Sequence, residues 1–249
     1  WLAAPCHVRR RFDPDDMVEM IAEEPITLLA AVPPQLIMLL NSATLSPADL
    51  ASLRVVFTGG EAVPYGRAAE FEDRTGARVL QFYGSNETGA VSRTTTRDSR
   101  HRRLTTAGRV IDEMQVRLVD PVTGAPARGS RGQPACRGPA TCEGYYDDPA
   151  GNAQLYTADG WMLMGDLVEI DDEGYLTVIG RTSDIIIRGG KNISAPAVEA
   201  EVMTHPRVAL AAAVAMPDPV FGERVCVYAE LRDDRPMTLD ELTGHLAGR

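Results

Sequence analysis

The sequence predicts an α/β protein in which a mostly parallel sheet with its helices and a β-rich subdomain are followed by a small α+β domain. Three observations carry that expectation. Continuous apolar runs alternate with segments of helical period as far as Tyr83, Gly and Pro punctuate short strands after about residue 105, and strand, helix and strand patterns resume after Arg181.

Taken in order, Asp13-Pro14 supplies an N-cap and a first helical residue, and Met17, Met20 and Ile21 recur at helical spacing up to Glu24. Ile26 to Val32 is a continuous apolar run, which suits a strand buried on both faces, and Pro34 to Leu40 reads as the next helix. Leu53 to Phe57, Pro64 to Arg74 and Arg78 to Tyr83 repeat the strand, helix and strand signals. Further on, Gln115 to Val119 is a strand closed by the turn Asp120-Pro121-Val122-Thr123-Gly124. Leu167 to Ile170 and Tyr175 to Ile179 flank Asp171-Asp172-Glu173-Gly174 as a hairpin. The last part reads as strand Ile185 to Ile187, helix Ala197 to Met203, strands Val208 to Ala215 and Val225 to Leu231, and a helix from Leu239.

Composition narrows the function classes. A chain of 249 residues with 44% hydrophobic and 24% charged residues is globular, and its net charge of −10 opposes a broad nucleic-acid footprint. The one basic cluster, Arg97 to Arg103, is short and reads as a solvated loop. The 4 cysteines, Cys6, Cys136, Cys142 and Cys226, form no CxxC pair, so neither a zinc site nor a disulfide framework is expected, and a reducing cytoplasm is. The apolar stretch Ile26 to Leu40 is too short for a bilayer and is broken by Pro33-Pro34, so no transmembrane segment is expected. The start at Trp1 without a signal-peptide pattern reads as a piece of a longer protein.

Gly189-Gly190-Lys191 is not a P-loop, because Ile185 stands where GxxxxGK needs its first glycine and Asn192 replaces Ser or Thr. GxGxxG, HExxH and GxSxG are absent, and the 4 histidines are scattered. Four other stretches carry chemistry. Tyr83-Gly84-Ser85-Asn86-Glu87-Thr88-Gly89 places a ring, pliant backbone, small polar groups and a carboxylate at a strand's carboxyl end, where open α/β sheets bind ligands. Thr58-Gly59-Gly60-Glu61-Ala62-Val63-Pro64 is a similar strand-to-helix junction one unit earlier. Gly160 to Asp166 sets an acid beside a glycine, suited to gripping ribose hydroxyls, and Gly180 to Ile193, followed by Glu199 and Glu201, is the fourth.

Together, in this order, the four stretches resemble the adenylate-forming superfamily of acyl-CoA and aryl-CoA synthetases, luciferases and peptide-synthetase adenylation domains. The resemblance implies residues 1–181 as the later part of a large AMP-binding domain and 182–249 as a small mobile C-terminal domain, truncated. It implies ATP, Mg²⁺ and CoA as partners, with a carboxylic acid converted to an acyl-adenylate and then to a thioester. A carrier-protein phosphopantetheine is the alternative acceptor, and a non-catalytic nucleotide-binding relative is the alternative class. Gly60, Glu61, Ala62, Gln81, Phe82, Tyr83, Gly84, Ser85, Asn86, Asp166 and Arg181 then correspond to the ATP and AMP contacts. Among these, Tyr83 would pack on adenine, Gln81 would meet its edge, and Asp166 and Arg181 would reach the ribose. Glu87 corresponds to the catalytic Mg²⁺ ligand, Ser183 to the hinge, and Gly189, Gly190 and Lys191 to a loop that faces the CoA arm. Asn86, Met164 and Ser183 depart from the family's threonine, threonine and Asp or Lys. The resemblance implies that the family's phosphate loop should lie before Trp1 and its lysine beyond Arg249, so the 249-residue chain is expected to hold only part of the catalytic site.

Overall fold

The computed structural model describes residues 4–42, 46, 50–61, 63–233 and 235–247. The chain divides into two compact units, one drawn from Trp1–Gln115, Cys136–Asp147 and Ile170–Thr177, the other from Val116–Ala135, Asp148–Glu169 and Val178–Arg249. Among the described residues no helix is long and apolar enough to cross a membrane.

In the first unit, α1 (Pro14–Glu23) begins at the expected cap: the Asp13 carboxylate accepts from Asp15 N at 3.0 Å and Asp16 N at 3.1 Å. Pro14 sits in the first turn, where a missing N–H removes no helical bond. The unit's sheet runs β1 (Leu28–Ala30), β2 (Val55–Thr58), β3 (Arg78–Ser85), β4 (Gly89–Arg93) and β5 (Arg109–Val110). Its first three strands are parallel, joined by α2 (Pro33–Asn41) and α3 (Tyr65–Thr75), and α4 (Arg100–Thr105) precedes β5. Leu29, Val56 and Val79 from the three strands pack with Ile21, Leu36, Leu39 and Phe71 in one core. A cavity of about 720 Å³ is lined by Phe57, Leu80, Arg93, Thr94 and their neighbours, and none of the glycine-motif residues lines it.

Three expectations change here. The basic cluster is not a solvated loop, since Arg100 onward forms α4 and Arg103 is buried against Glu72. The apolar run from Ile26 to Val32 forms a strand only over Leu28–Ala30: among the described residues β1 pairs with β2 alone, and Pro33 opens the next helix at once. More consequential, the Tyr83 motif is not a strand-to-helix junction. Strand β3 continues to Ser85 and returns antiparallel as β4, with Tyr83 opposite Ser92 and Ser85 opposite Gly89, so Asn86-Glu87-Thr88 forms a hairpin tip.

Most residues of β6 (Gln115–Val119), β7 (Arg131–Arg137), β9 (Asp166–Ile170) and β10 (Leu176–Arg181) belong to the second unit, and these strands lie in the order β10–β9–β7–β6. There β8 (Met162–Leu163) pairs with β7, and α5 (Pro149–Leu155) precedes it. The turn after β6 is the expected one, with Asp120 Oδ1 accepting from the N–H of Val122 at 3.0 Å and of Thr123 at 2.8 Å. A short 3₁₀ turn, Thr182–Asp184, leads into an antiparallel sheet of β11 (Ile185–Arg188), β12 (Lys191–Ser194), β13 (Val208–Asp218) and β14 (Gly222–Leu231), ordered β12–β11–β14–β13. The hairpin of β13 and β14 is longer than apolar patterning predicts, since its solvent-facing end pairs through Met216, Pro217, Arg224 and Glu223. Helix α6 (Ala195–Val202) and helix α7 (Leu239–Leu246) cover this sheet through Val198, Val202, Leu242 and Leu246.

Candidate functional site

Parallel pairing of β2 with β3 sets Thr58 opposite Gln81, so the two strands deliver Gly59-Gly60-Glu61 and Phe82-Tyr83-Gly84 side by side at one sheet edge. Gly59 permits this: a Cβ there would lie 2.5 Å from Phe82 Cε1, and the freed space admits the Phe82 ring, stacked on Phe57 at 4.9 Å and 11°. Gly60 and Glu61 are exposed, and Ala62 lies outside the described residues. Gln81 is buried with its amide engaged inside the protein, Nε2 donating to Arg103 O at 2.9 Å and Oε1 accepting from Val63 N at 3.5 Å. It ties the residues after Glu61 to α4 and presents no free amide. Tyr83 is also buried, at 7% exposure.

The hairpin tip is closed by its own side chains. Ser85 N donates to Thr88 Oγ1 at 3.0 Å, while Ser85 Oγ accepts from Glu87 N at 3.2 Å and Thr88 N at 3.3 Å. Thr88 is fully buried, which leaves Asn86 exposed at the apex and Glu87 half-buried beside it. Hydrogen bonds from Ser85, from Glu87's own backbone and from Tyr145 hold the Glu87 carboxyl below its ordinary value against the opposing effect of burial, so it stays anionic. An anionic, hard oxygen donor suits a hard divalent cation. Among the described residues no group of three His, Cys, Asp or Glu could hold a metal ion.

Elsewhere, in the second unit, Asp166 opens β9 and Arg181 closes β10, adjacent strands of one sheet, with Arg181 Nε 3.4 Å from Asp166 Oδ1. The Arg181 side chain is 68% exposed and that of Asp166 19%, so a cation and an anion share one accessible strand end. Thr182 N and Oγ1 both donate to Gly165 O, at 2.9 and 3.1 Å, and fix the chain as it leaves. Met164, which replaces a hydroxyl residue in the family pattern, is buried; its backbone donates to Pro134 O at 2.9 Å and accepts from Gln133 Nε2 at 2.7 Å. Its side chain serves the core of this strand end.

Ser183 sits in the exposed 3₁₀ turn with Oγ donating to Asp184 Oδ1 at 2.8 Å. Gly189 and Gly190 are the two central residues of the β11–β12 hairpin, flanked by the Arg188 and Lys191 pair. Their φ angles of 57° and 80° make a turn that glycine adopts at no steric cost. Gly189 N donates to Phe221 O at 2.8 Å, the Arg188 guanidinium lies 4.7 Å over the Phe221 ring, and Lys191 is exposed.

Sequence reasoning missed Tyr145, whose hydroxyl donates to Glu87 Oε1 at 2.9 Å. It missed as well the buried pair of Glu72 and Arg103 beneath β3. Neither carries a local signal, since each partner lies far along the chain.

Comparison with known proteins gives two family matches: AMP-binding enzyme over residues 3–146 and AMP-binding enzyme C-terminal domain over residues 197–249. The chain is 35% identical over 221 residues to a medium-chain fatty-acid–CoA ligase of Escherichia coli, covering 89% of this chain and 39% of that protein. It is 36% identical over 231 residues to a 2,3-dihydroxybenzoate-AMP ligase of Bacillus subtilis, covering 90% of this chain and 41% of that one. Among solved structures, o-succinylbenzoate CoA synthetase from Bacillus subtilis, in complex with its acyl-adenylate intermediate, matches with a TM-score of 0.78 and 28% identity over 97% of this chain and 48% of that one. The chain thus spans less than half the length of these relatives.

Proposed function

Since this chain belongs to the AMP-binding enzyme family, we propose that the protein it comes from activates a carboxylic acid with ATP and transfers the acyl group to the thiol of CoA. The observation that carries this reading is the strand edge of the first unit, where two glycine-bearing exits lie side by side and an anionic Glu87 is held beside them. In this reading a substrate carboxylate oxygen bonds to the α-phosphorus of ATP, the bond to pyrophosphate breaks, and the thiol then displaces AMP from the acyl carbon. Such chemistry asks little acid or base help from the protein; it needs alignment and relief of negative charge.

Each part of the chain has a matching role. Gly60, Glu61 and the strand end at Phe82 to Ser85 take the adenine side of the nucleotide, and Asn86 offers an amide to phosphate oxygens. Gln81 positions the first of these by anchoring Val63. Glu87 holds Mg²⁺, which when bound neutralises phosphate charge. Asp166 accepts from ribose hydroxyls with Arg181 beside it. The border between a large and a small domain falls at Arg181 and Thr182, inside the stretch between the two family matches, with Ser183 as hinge and the loop at Gly189, Gly190 and Lys191 turned to the CoA arm in the second half-reaction. The protein works in the cytoplasm.

A second reading, in which the acceptor is a carrier-protein phosphopantetheine and the acid is aromatic, is favoured by likeness to the 2,3-dihydroxybenzoate-AMP ligase and, at 38% identity, to a pyochelin synthase of Pseudomonas aeruginosa. ATP–pyrophosphate exchange by the full-length parent, with a panel of fatty and aromatic acids, tests the shared first half. Acid-dependent exchange is expected, and its absence with every acid would overturn the reading. Thioester formation with free CoA against a carrier protein bearing a free phosphopantetheine thiol separates the two acceptors.

A further inference from the structure

The Glu87 carboxylate is not held by its own turn alone. Two contacts reach the residue from a segment far along the chain: Cys142 N donates to Glu87 O at 2.7 Å, and the Tyr145 hydroxyl donates to Glu87 Oε1 at 2.9 Å. That segment has built geometry. Thr141 N and Oγ1 both donate to Gly138 O, at 3.2 and 2.8 Å, and Gly144 has φ 140°, a region that L side chains rarely enter. Tyr145 is 42% exposed, so core packing does not account for where its hydroxyl points.

We propose that Tyr145 is a positioning residue for Glu87: aimed by the turn at Gly144, its hydroxyl keeps the carboxylate oriented for the divalent cation of the bound nucleotide. The inference rests on Glu87 being the metal ligand. An untethered glutamate must give up rotamer freedom when it takes a cation, and the Tyr145 bond removes that freedom beforehand. A donated hydrogen bond also draws electron density from the carboxylate, which acts in the opposite direction. Orientation wins if loss of the hydroxyl weakens the metal, and polarisation wins if it strengthens it.

The test uses the full-length parent and a binding ratio: affinity for the Mn²⁺ complex of ATP divided by affinity for ATP in chelator, each by calorimetry, with electron paramagnetic resonance of the bound Mn²⁺. Tyr145→Phe should lower the ratio roughly three- to tenfold while leaving metal-free ATP affinity and the melting temperature unchanged. Gly144→Ala, which keeps the hydroxyl but disturbs its aim, should lower the ratio as well. Glu87→Gln should lower it most. A wild-type or raised ratio in Tyr145→Phe, beside a lowered one in Glu87→Gln, would overturn the positioning role and leave the metal ligand standing. An unchanged ratio in Glu87→Gln would overturn the ligand assignment and this inference with it.

Discussion

Replacing Glu72 by Leu should be among the most damaging single changes available in the first unit, although Glu72 touches no proposed ligand. Its side chain is 9% exposed and pairs with Arg103, itself 7% exposed, through Arg103 Nη2 at 2.7 Å to Oε1 and 3.0 Å to Oε2. Glu72 Oε1 also accepts from Val79 N at 2.9 Å, and Oε2 lies 3.1 Å from Arg100 Nε. Leucine therefore strands a buried cation whose Nε already has no partner among the described residues, and it orphans the N–H of a fully buried strand residue. Breaking a buried pair from one side costs about 3–5 kcal/mol, and an orphaned donor about 1–3, so a total near 4 kcal/mol is expected because the two losses overlap. Arg103→Met should cost only about 1–3 kcal/mol, since Glu72 keeps Arg100 and Val79 N. The double variant removes both buried charges and leaves the Val79 N–H unpaired, with Asp98 O and the half-exposed Arg100 also losing a partner, so it should lose roughly 1–3 kcal/mol, less than Glu72→Leu alone. Because the chain has two compact units, the assay is urea-dependent hydrogen exchange of the peptide spanning β3, which reads the unit that carries the pair. A Glu72→Leu cost under about 1 kcal/mol, or a double variant that loses the sum of the singles, would refute the reasoning.

Asp166→Ala should weaken AMP binding by the full-length parent about ten- to hundredfold, the worth of a hydrogen bond to a charged acceptor, as read by calorimetry at unchanged melting temperature. Burial pushes the Cys136 thiol up to about 12, so at pH 8 iodoacetamide should label exposed Cys6 and spare Cys136 until the protein is unfolded, with mass spectrometry as the readout. Hydrogen bonds from Arg207 hold the Asp233 and Glu241 carboxyls below their ordinary values of 3.8 and 4.5. Lowered folded-state values stabilise above the ordinary ones and lose that effect as pH falls through them, so amide protection in α7 should decline as pH is taken below about 4. Arg207→Leu should remove this acid-dependent step.

What was legible in the sequence was what is local. Helical period and the Asp13-Pro14 cap located α1, apolar runs located β2 and β3, the acidic turn residues located the break after β6, and four motifs in family order identified the adenylate-forming fold. Each is a property of neighbouring residues, so each leaves a pattern within one window of chain. The tertiary structure decided what depends on contacts between distant segments. It turned the Tyr83 motif into a hairpin, since only pairing with β4 shows that β3 continues past Tyr83. Gln81 and Tyr83 carry the motif in sequence, yet both are buried in the first unit, with the Gln81 amide bonded to Arg103 O. Tyr145 reaches Glu87, and Arg103 reaches Glu72, only because folding brings remote segments together. Periodicity reports which face of an element is covered, whereas the identity of the covering partner, like the meeting of Tyr145 with Glu87, is set by which remote segments the fold brings together.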